Sequence, residues 1–452
     1  MGRLVRENAV CVLAAAGASA VMAWLGLYGF GWSDYEVEAE PSFSALTHGH
    51  VLEFLRLAPA YGGSLIERAP FALLPGLWGG GQLAVYRMVA LPGLLAAAAL
   101  GVWLCARMRA TGRPVLWRAV ALGVCVANPL TLRALELGHP EELVGAALCV
   151  AAVLAAARGH SIWAGMLLGL AIANKEWALI AAGPVLLALP GRSILPNERP
   201  EDLSWSRVCA RVRGGREHIA CLASAGTVST VVLGPLLLVS SGGFVSGTTV
   251  AASPGASIIF KPWQVWWFFG HYSKRALGPL GVHQAGYRIG PSWTGTVSHP
   301  LIVVVGLGLA GALWLQRRYR AGGGTVSERD ALLLLVLALL LRCVLDTWDE
   351  SYYLLPFIFA LLAWEVSDDN ARPPVLALAS TVLAWLSFQS LTGHVSPDVQ
   401  AAFFLVWTLP LGAWMALRLY GSPFAARERR SARIAAPQEM TVSSLGNPVS
   451  TS

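Results

Sequence analysis

The chain has 452 residues, of which 55% are hydrophobic and only 13% are charged, and its formal net charge is +7. An ordinary soluble domain carries about 25% charged residues, so this composition excludes a soluble globular protein and predicts an integral membrane protein. Membrane topology and contact with anionic lipid account for the excess of basic residues, so the charge predicts no nucleic-acid partner.

Apolar segments long enough to cross about 30 Å of hydrocarbon recur along almost the whole chain. They predict about twelve transmembrane helices, and hence an all-α integral membrane protein with one polytopic domain over residues 1–420. The predicted segments are 9–30, 84–106, 116–132, 142–157, 161–174, 176–190, 218–240, 299–316, 330–345, 351–365, 373–391 and 400–418. Because the third to sixth segments are short, we expect broken or tilted helices packed inside the bundle there.

Arginine is concentrated in alternate loops, which predicts an orientation. The arginine-rich segments are 107–118, 191–217, 317–329 and the tail from 418 to 433. Short cytoplasmic loops collect Lys and Arg, so we expect both chain ends in the cytoplasm of a multi-pass cell-membrane protein. The polar tail, residues 421–452, has no apolar periodicity and is predicted to be disordered. The long segments at about 31–83 and 241–298 then lie outside, and the first is expected to carry short amphipathic helices on the membrane surface.

Carboxylates gather just after the first apolar segment, in "SDYEVEAE". Asp34, Glu36 and Glu38 stand there at alternate positions. A carboxylate at this place is suited to act as a general base toward a hydroxyl, because low dielectric and neighbouring carboxylates raise a carboxyl pKa. The structural alternative is that Ser33 or Asp34 caps a short interfacial helix.

The stretch "LELGHPEELVG" places polar residues between two apolar runs on the predicted external side. A helix start at Pro140 explains Glu141 and Glu142, because carboxylates are favoured at the positive end of a helix dipole. His139 is not explained in this way. It is therefore the better candidate for contact with a substrate, and Glu141 is a helix cap that is also a candidate for binding sugar hydroxyls.

In "ANKEW", Lys175 and Glu176 interrupt what is otherwise nearly continuous hydrocarbon. An ionisable residue at membrane depth usually faces a cavity or a partner, which makes Lys175 a candidate for neutralising a phosphate. The alternative is an interfacial turn in which the lysine extends to water.

The stretch "LRCVLDTWDESYY" combines charges with aromatic rings. Arg342 stands four residues before Asp346, a spacing that predicts an intrahelical ion pair. Asp349 remains next to aromatic residues that include Tyr352. Carboxylates beside aromatic rings suit a sugar, whose hydroxyls need acceptors and whose C–H faces stack on rings. Alternatively, these aromatic side chains are ordinary membrane-interface anchors.

The later external segment contains "FKPWQVWWFFGHYSKR", with Lys261 and His271 among several tryptophans. Such a segment suits a lid over an external cavity, and its composition equally fits an interfacial aromatic helix.

The chain lacks the motifs of several enzyme classes. There is no G-x-x-x-x-G-K-[ST], no H-E-x-x-H and no G-x-S-x-G, which argues against ATP-driven transport, zinc proteolysis and serine hydrolysis. Six of the seven cysteines fall in apolar runs and none forms a C-x-x-C pair. We therefore predict no metal site and no cofactor.

The whole pattern resembles the GT-C superfamily of multispanning glycosyltransferases, and within it bacterial mannosyltransferase-like membrane proteins that use polyprenol-phosphate sugars. The resemblance rests on Asp34 with Glu36 after the first helix, on the long segment 241–298, and above all on residues 128–190. That block reads "NPLTLRALELGHPEELVGAALCVAAVLAAARGHSIWAGMLLGLAIANKEWALIAAGPVLLAL". It departs from the family where members often carry a Gly-Gln pair, since this chain has Gly138 and His139.

The resemblance implies a GT-C-like bundle that transfers a hexose, for example mannose, from a polyprenol-phosphate donor to an envelope glycan or glycolipid at the external face, with inversion. Asp34 would take the acceptor proton with Glu36 as its neighbour, and Lys175 would hold the donor phosphate. The further candidates for substrate binding are His139, Glu141, Glu142, Glu176, Lys261, His271, Asp346, Asp349 and Tyr352. The competing hypotheses are a transporter or flippase of a lipid-linked or small polar solute, and a non-catalytic partner in envelope assembly.

Overall fold

The computed structural model describes most of the chain. The described residues are 2–28, 33–59, 61–190, 205–239, 259–272, 288–319, 326–368 and 372–421. The tail predicted to be disordered falls on 422–452, and much of the segment 241–298 falls on 240–258 and 273–287, all outside the described residues. Apart from three very short strands, the described part is helical, which confirms the all-α prediction.

The helices follow one another with short connections. They are α1 Gly2–Gly26, α2 Glu40–Thr47, α3 Val51–Leu57, α4 Gly62–Leu73, α5 Gln82–Ala110, α6 Val115–Val126, α7 Pro129–Leu137, α8 Glu141–Ala157, α9 Ser161–Asn174, α10 Ala182–Ala188, α11 Trp205–Val239, α12 Ser292–Tyr319, α13 Glu328–Leu345, α14 Leu355–Val366, α15 Val375–Trp385 and α16 Pro397–Tyr420. Short 3₁₀ turns cover Leu74–Trp78, Glu176–Ala181, Val265–Phe269 and Ser351–Leu354, and π-helical turns cover Tyr35–Ala39 and Leu386–Ser390.

The strands are β1 Ile259–Phe260, β2 His271–Tyr272 and β3 Arg288–Ile289. They form one small antiparallel sheet in the order β1-β3-β2, in which Ile289 is opposite both Ile259 and His271. The sheet holds together the described parts of the long later segment.

Among the described residues, six helical segments are long and apolar enough to cross a membrane. They are Ala9–Gly26, Gln82–Ala110, Val115–Leu137, Gly215–Val239, Ser292–Arg318 and Pro397–Tyr420. Only 17% of the apolar window of the first and 11% of that of the fourth is buried, so α1 and α11 expose most of their apolar surface at the periphery. Shorter apolar helical segments are Ser161–Asn174, Glu176–Ala188, Ser351–Val366 and Val375–Ser390.

The centre of the bundle is formed by α8, α13 and α14. All twelve residues of α14 are buried, and α13 is buried along most of its length. A helix that is apolar on every side is stable only when other helices surround it. The peripheral and central helices therefore form concentric layers.

Two of the short segments are interrupted, as expected. The chain bends between α6 and α7, where the Asn128 side chain accepts a 2.9 Å hydrogen bond from the backbone N–H of Leu130 and caps α7, with Pro129 at its first position. The segment before α10 begins as the 3₁₀ turn Glu176–Ala181. By contrast, α8 and α9 are single uninterrupted helices.

One end of the bundle is closed by arginine side chains, and we call it the arginine end. Buried Arg113 donates to the carbonyls of Glu365 and Val366, at 3.3 and 3.0 Å, where α14 ends. Arg107 pairs with Glu328 at the start of α13, at 2.6 Å. The opposite end therefore holds the end of α13 and the start of α14, and we call it the site end.

Candidate functional site

Buried ion pairs connect several helices at the site end. Nε2 of His139 lies 3.0 Å from Oδ2 of Asp34, and its Nδ1 lies 2.8 Å from Oε1 of Glu141. Glu141 also lies 3.3 Å from Nη2 of Arg68 on α4 and 3.3 Å from Nζ of Lys175 at the end of α9. A single buried carboxylate thus joins three cationic or ionisable side chains.

The ion pairs continue toward the centre of the bundle through Glu142. Its Oε1 lies 3.6 Å from Nζ of Lys175 and 3.5 Å from Nη2 of Arg342. The Arg342 guanidinium lies between the rings of Trp177 and Tyr353, 4.7 and 4.6 Å from their centroids. We call the linked set the ion-pair chain: Asp34, Arg68, His139, Glu141, Glu142, Lys175 and Arg342.

A glycine brings the two ends of this arrangement together. Gly138 ends α7 in the left-handed conformation, with φ of +89°. A Cβ atom there would lie 2.7 Å from the backbone nitrogen of Tyr35, the residue after Asp34. Only glycine satisfies both demands at low energy, so it allows the α7–α8 turn to place His139 against Asp34.

Asp34 is the exposed terminus of the ion-pair chain. Its side chain is 42% exposed, whereas that of His139 is 6% exposed. Asp34 occupies the N-cap position of the π turn Tyr35–Ala39 but makes no side-chain cap there, so the capping alternative does not explain it. Its Oδ2 is held by His139, and its Oδ1 has no hydrogen-bond partner among the described residues. One oxygen is positioned and the other is open.

The charge environment of Asp34 is the reverse of the one expected. The hydrogen bond from His139 lowers the pKa of Asp34 below its ordinary value, although partial burial raises it, and the charges of His139 and Lys261 lower it further. The expectation that neighbouring carboxylates would raise this pKa was wrong, because a cationic side chain, and not another carboxylate, contacts Asp34. Asp34 is therefore ionised at neutral pH.

Glu36 has a local role. Its Oε2 accepts hydrogen bonds from the backbone N–H and the hydroxyl of Ser33, at 2.7 and 2.5 Å. The other carboxylate of the turn is closer to the ion-pair chain, because Tyr61 donates its hydroxyl to Glu38 and places its ring 4.3 Å from Nζ of Lys175.

The lysine and the glutamate of "ANKEW" separate. Lys175 is 8% exposed and is enclosed by Glu141, Glu142 and the Tyr61 ring, so it does not extend to water. Glu176 begins the following 3₁₀ turn and is exposed. The structure thus brings Lys175 into the ion-pair chain and leaves Glu176 outside it.

The predicted ion pair between Arg342 and Asp346 was wrong. Helix α13 ends at Leu345 and Asp346 has an extended backbone, with ψ of 142°, so the two side chains diverge. Asp346 accepts a 2.9 Å hydrogen bond from the backbone N–H of Trp348 and lies 3.4 Å from Nε2 of His299. It contributes to the loop and not to the ion-pair chain.

Tyr352 does reach the ion-pair chain. It is buried, and its ring stacks on that of His139 with centroids 4.8 Å apart and an interplanar angle of 24°. Tyr61 approaches the same imidazole at 6.2 Å. The His139 ring is therefore fixed by aromatic rings as well as by its two carboxylate partners.

Lys261 and Asp349 form a second polar group beside Asp34. Lys261 pairs with Glu350, and burial lowers its pKa to about 8 although the charges of Asp34 and Asp349 oppose this. Asp349 is fully buried, neither carboxyl oxygen has a hydrogen-bond partner among the described residues, and burial together with the charge of Asp346 raises its pKa well above the ordinary value. Asp349 is therefore a neutral acid beside the site.

His271 lies apart from this group, exposed on β2. Within the described ranges, no group of three or more His, Cys, Asp or Glu residues could hold a metal ion, and the cysteines whose side chains are described are free.

Sequence reasoning missed Arg68 and Tyr61. Both lie in a stretch that reads as a surface-lying amphipathic segment, yet Arg68 is 1% exposed. A usable signal was charge balance, because buried carboxylates near a membrane require cationic partners and Lys175 alone does not suffice for two.

No protein-family model matches the chain, and no curated protein matches it. The GT-C resemblance therefore rests on the residues described above and stays a prediction.

Proposed function

We propose that the chain is a multispanning cell-membrane glycosyltransferase that transfers a hexose from a polyprenol-phosphate sugar to a hydroxyl of an envelope glycan or glycolipid at the external face. The observation that carries the proposal is the open carboxylate of Asp34 at the exposed end of the ion-pair chain. A base next to a cationic cluster is what this reaction requires, because the acceptor loses a proton while a phosphate leaves as an anion.

The ion-pair chain carries more cations than anions. With His139 as an imidazolium, four cations face three carboxylates: Arg68, His139, Lys175 and Arg342 against Asp34, Glu141 and Glu142. Buried charges are stable when they are balanced, so this excess favours an added anion. Nη1 of Arg68 also has no hydrogen-bond partner among the described residues although Arg68 is buried, and it is available to donate to a phosphate oxygen.

The reaction follows from these positions. Oδ1 of Asp34 accepts the proton of the acceptor hydroxyl as that oxygen forms a bond to the anomeric carbon. On the opposite face of the sugar the bond between the anomeric carbon and the phosphate oxygen breaks, and the electron pair stays with the polyprenol phosphate. Attack from the face opposite the leaving group inverts the anomeric configuration. Lys175 and Arg68 stabilise the charge that the phosphate gains.

The arrangement of the two ends supports the proposed orientation. Arginines of the segments 107–118 and 317–329 lie at the arginine end, as Arg107 and Arg113 illustrate. The end of α16 lies there too, because Gln316 donates to the carbonyl of Tyr420. Short cytoplasmic loops collect arginine, so we place the arginine end and both termini in the cytoplasm, the site end outside, and about twelve helical segments in the bilayer.

A transporter or flippase of a lipid-linked or small polar solute is the second candidate, because charged side chains are buried at both ends of the bundle. At the arginine end, however, they bond mainly to backbone groups at helix ends, as Arg113 and Glu365 do. Such contacts have a structural role, which favours the enzyme.

The test uses purified protein in lipid nanodiscs with polyprenol-phosphate hexoses, mannose among them, and envelope lipid extract as acceptor. We expect a glycosidic product with inverted anomeric configuration. In liposomes, movement of the lipid-linked sugar across the bilayer without any glycosidic product would overturn the proposal in favour of transport. Comparing envelope glycolipids with and without the protein identifies the acceptor.

A further inference from the structure

The contacts of His139 require an unusual proton count. Both ring nitrogens face carboxylate oxygens, Oδ2 of Asp34 at 3.0 Å and Oε1 of Glu141 at 2.8 Å. An ionised carboxylate can only accept, and a neutral imidazole has one donor nitrogen and one acceptor nitrogen. A neutral His139 would therefore aim a lone pair at one of the carboxylates. The observed geometry needs two N–H donors, as only the imidazolium has.

The surroundings place the extra proton on the ring. Glu141 also faces Arg68 and Lys175, each at 3.3 Å, so its carboxylate remains ionised. Asp34 is ionised as well, since it is half-exposed and faces cations. The titratable or charged groups that face His139 are Asp34, Tyr61, Glu141, Lys175 and Tyr352.

We propose that His139, as a doubly protonated imidazolium, is the positioning residue that holds Asp34 in place, and that loss of its second proton releases Asp34 and stops sugar transfer. The role of Asp34 as base rests on the proposed function. The imidazolium bridge between the two carboxylates does not.

The two partners of His139 differ in what else holds them. Glu141 is fully buried and keeps Arg68 and Lys175 when His139 loses a proton. Asp34 is exposed and has His139 as its one hydrogen-bond partner among the described residues. The remaining N–H therefore stays with Glu141, and the lone pair on Nε2 repels Asp34.

The pH at which this happens follows from the charges. Burial alone lowers the pKa of His139, but the charge of Glu141 and the hydrogen bonds with Asp34 and Glu141 outweigh it and raise the pKa to about 9. A raised pKa means that the bridge is complete below this value and is lost as the pH rises through it. Transfer should therefore fall above about pH 9.

The bridge is tested first without any activity measurement, by ¹⁵N NMR of histidine-labelled protein in nanodiscs. The difference between wild type and His139→Gln isolates the His139 signals, and we expect both nitrogens to be protonated at pH 7.5. If His139→Gln does not fold, Asp34→Asn identifies the same signals, because it removes a carboxylate partner and lowers the titration midpoint of His139 by at least one pH unit. A neutral His139 at pH 7.5, or a midpoint unchanged in Asp34→Asn, would overturn the proposal.

The positioning role is tested by the pH dependence of transfer. We expect the wild-type kcat to fall about tenfold per pH unit above about pH 9. His139→Gln keeps one donor for Asp34 and no titrating group, so its kcat is lower but loses the alkaline decline, while KM for the donor stays within a factor of two.

The matched control is His48→Gln. His48 is exposed and contacts only the backbone carbonyl of Ser44 among the described residues, so this variant should keep the wild-type profile. The same alkaline decline in wild type and His139→Gln would contradict the positioning role. Absence of product from the wild type would contradict the proposed function instead, and the NMR measurement would still decide the bridge.

Discussion

The two ends of the bundle bury charged side chains in different ways. At the arginine end, Arg113 donates to carbonyls where α14 ends, and Glu365 accepts 2.8 Å hydrogen bonds from the N–H groups of Leu376 and Ala377 where α15 begins. At the site end, the charged side chains of the ion-pair chain contact one another. The first arrangement satisfies backbone groups that every helix end leaves open, whereas no helix end requires the second.

The energetics of buried ion pairs sharpen this contrast. Removing two charges from water costs about as much as their attraction returns, so apolar residues of similar volume often stabilise a protein equally well. The ion-pair chain draws on five separate parts of the sequence and leaves Nη1 of Arg68 without a hydrogen-bond partner among the described residues. Stability alone gives no reason for such an arrangement. Binding an anion does.

The largest expected contrast comes from one cation at each end. In Lys175→Met, transfer should fall about 10²- to 10³-fold, because stabilisation of the leaving phosphate is lost. In Arg113→Met, helix ends lose donors, so stability falls but the rate per folded molecule stays near wild type. Transfer rates normalised to the folded fraction, with thermal unfolding of both variants, check this. A full rate in Lys175→Met, or loss of rate per folded molecule in Arg113→Met, would break the comparison.

A smaller effect is expected from the glycine that joins the α7–α8 turn to Tyr35. Gly138→Ala places a Cβ atom 2.6 Å from that of Tyr35, in a left-handed conformation that costs alanine about 1–2 kcal/mol. The displaced turn separates His139 from Asp34 and should lower transfer about tenfold, as expected for misplaced catalytic groups.

Gly17→Ala is the matched control, because a Cβ on Gly17 in α1 has no neighbour within 4 Å. It should leave transfer unchanged and raise the unfolding free energy by up to about 1 kcal/mol. Equal transfer rates in the two alanine variants would show that the close approach at Gly138 does not position the site.

Much of the fold was predictable, because hydrophobicity along the chain reports which segments are buried or face lipid. The apolar segments coincide with helices, and the break at Asn128 has local signals in its cap and in Pro129. The arrangement of the site was only partly predictable. Asp34, His139 and Lys175 stood out because polar residues are rare in such a chain, yet nothing local indicates that one histidine joins two carboxylates.

Two errors show where local reasoning stops. The spacing of Arg342 and Asp346 predicts an ion pair only if the helix continues, and α13 ends at Leu345. Arg68 reads as a surface residue, and its partner Glu141 lies far away in the sequence. Helix ends and long-range contacts depend on the packing of the whole bundle, which periodicity and composition do not encode.

The most direct test of the central claim compares one carboxylate from each end in the same nanodisc assay with a polyprenol-phosphate hexose. Asp34→Asn keeps the size of the side chain and removes the base, so transfer should fall about 10²- to 10⁴-fold while the protein stays folded. Glu365→Gln, at the arginine end, should retain the wild-type rate per folded molecule. Wild-type transfer by Asp34→Asn, or an equal loss in Glu365→Gln, would contradict the assignment of chemistry to the site end.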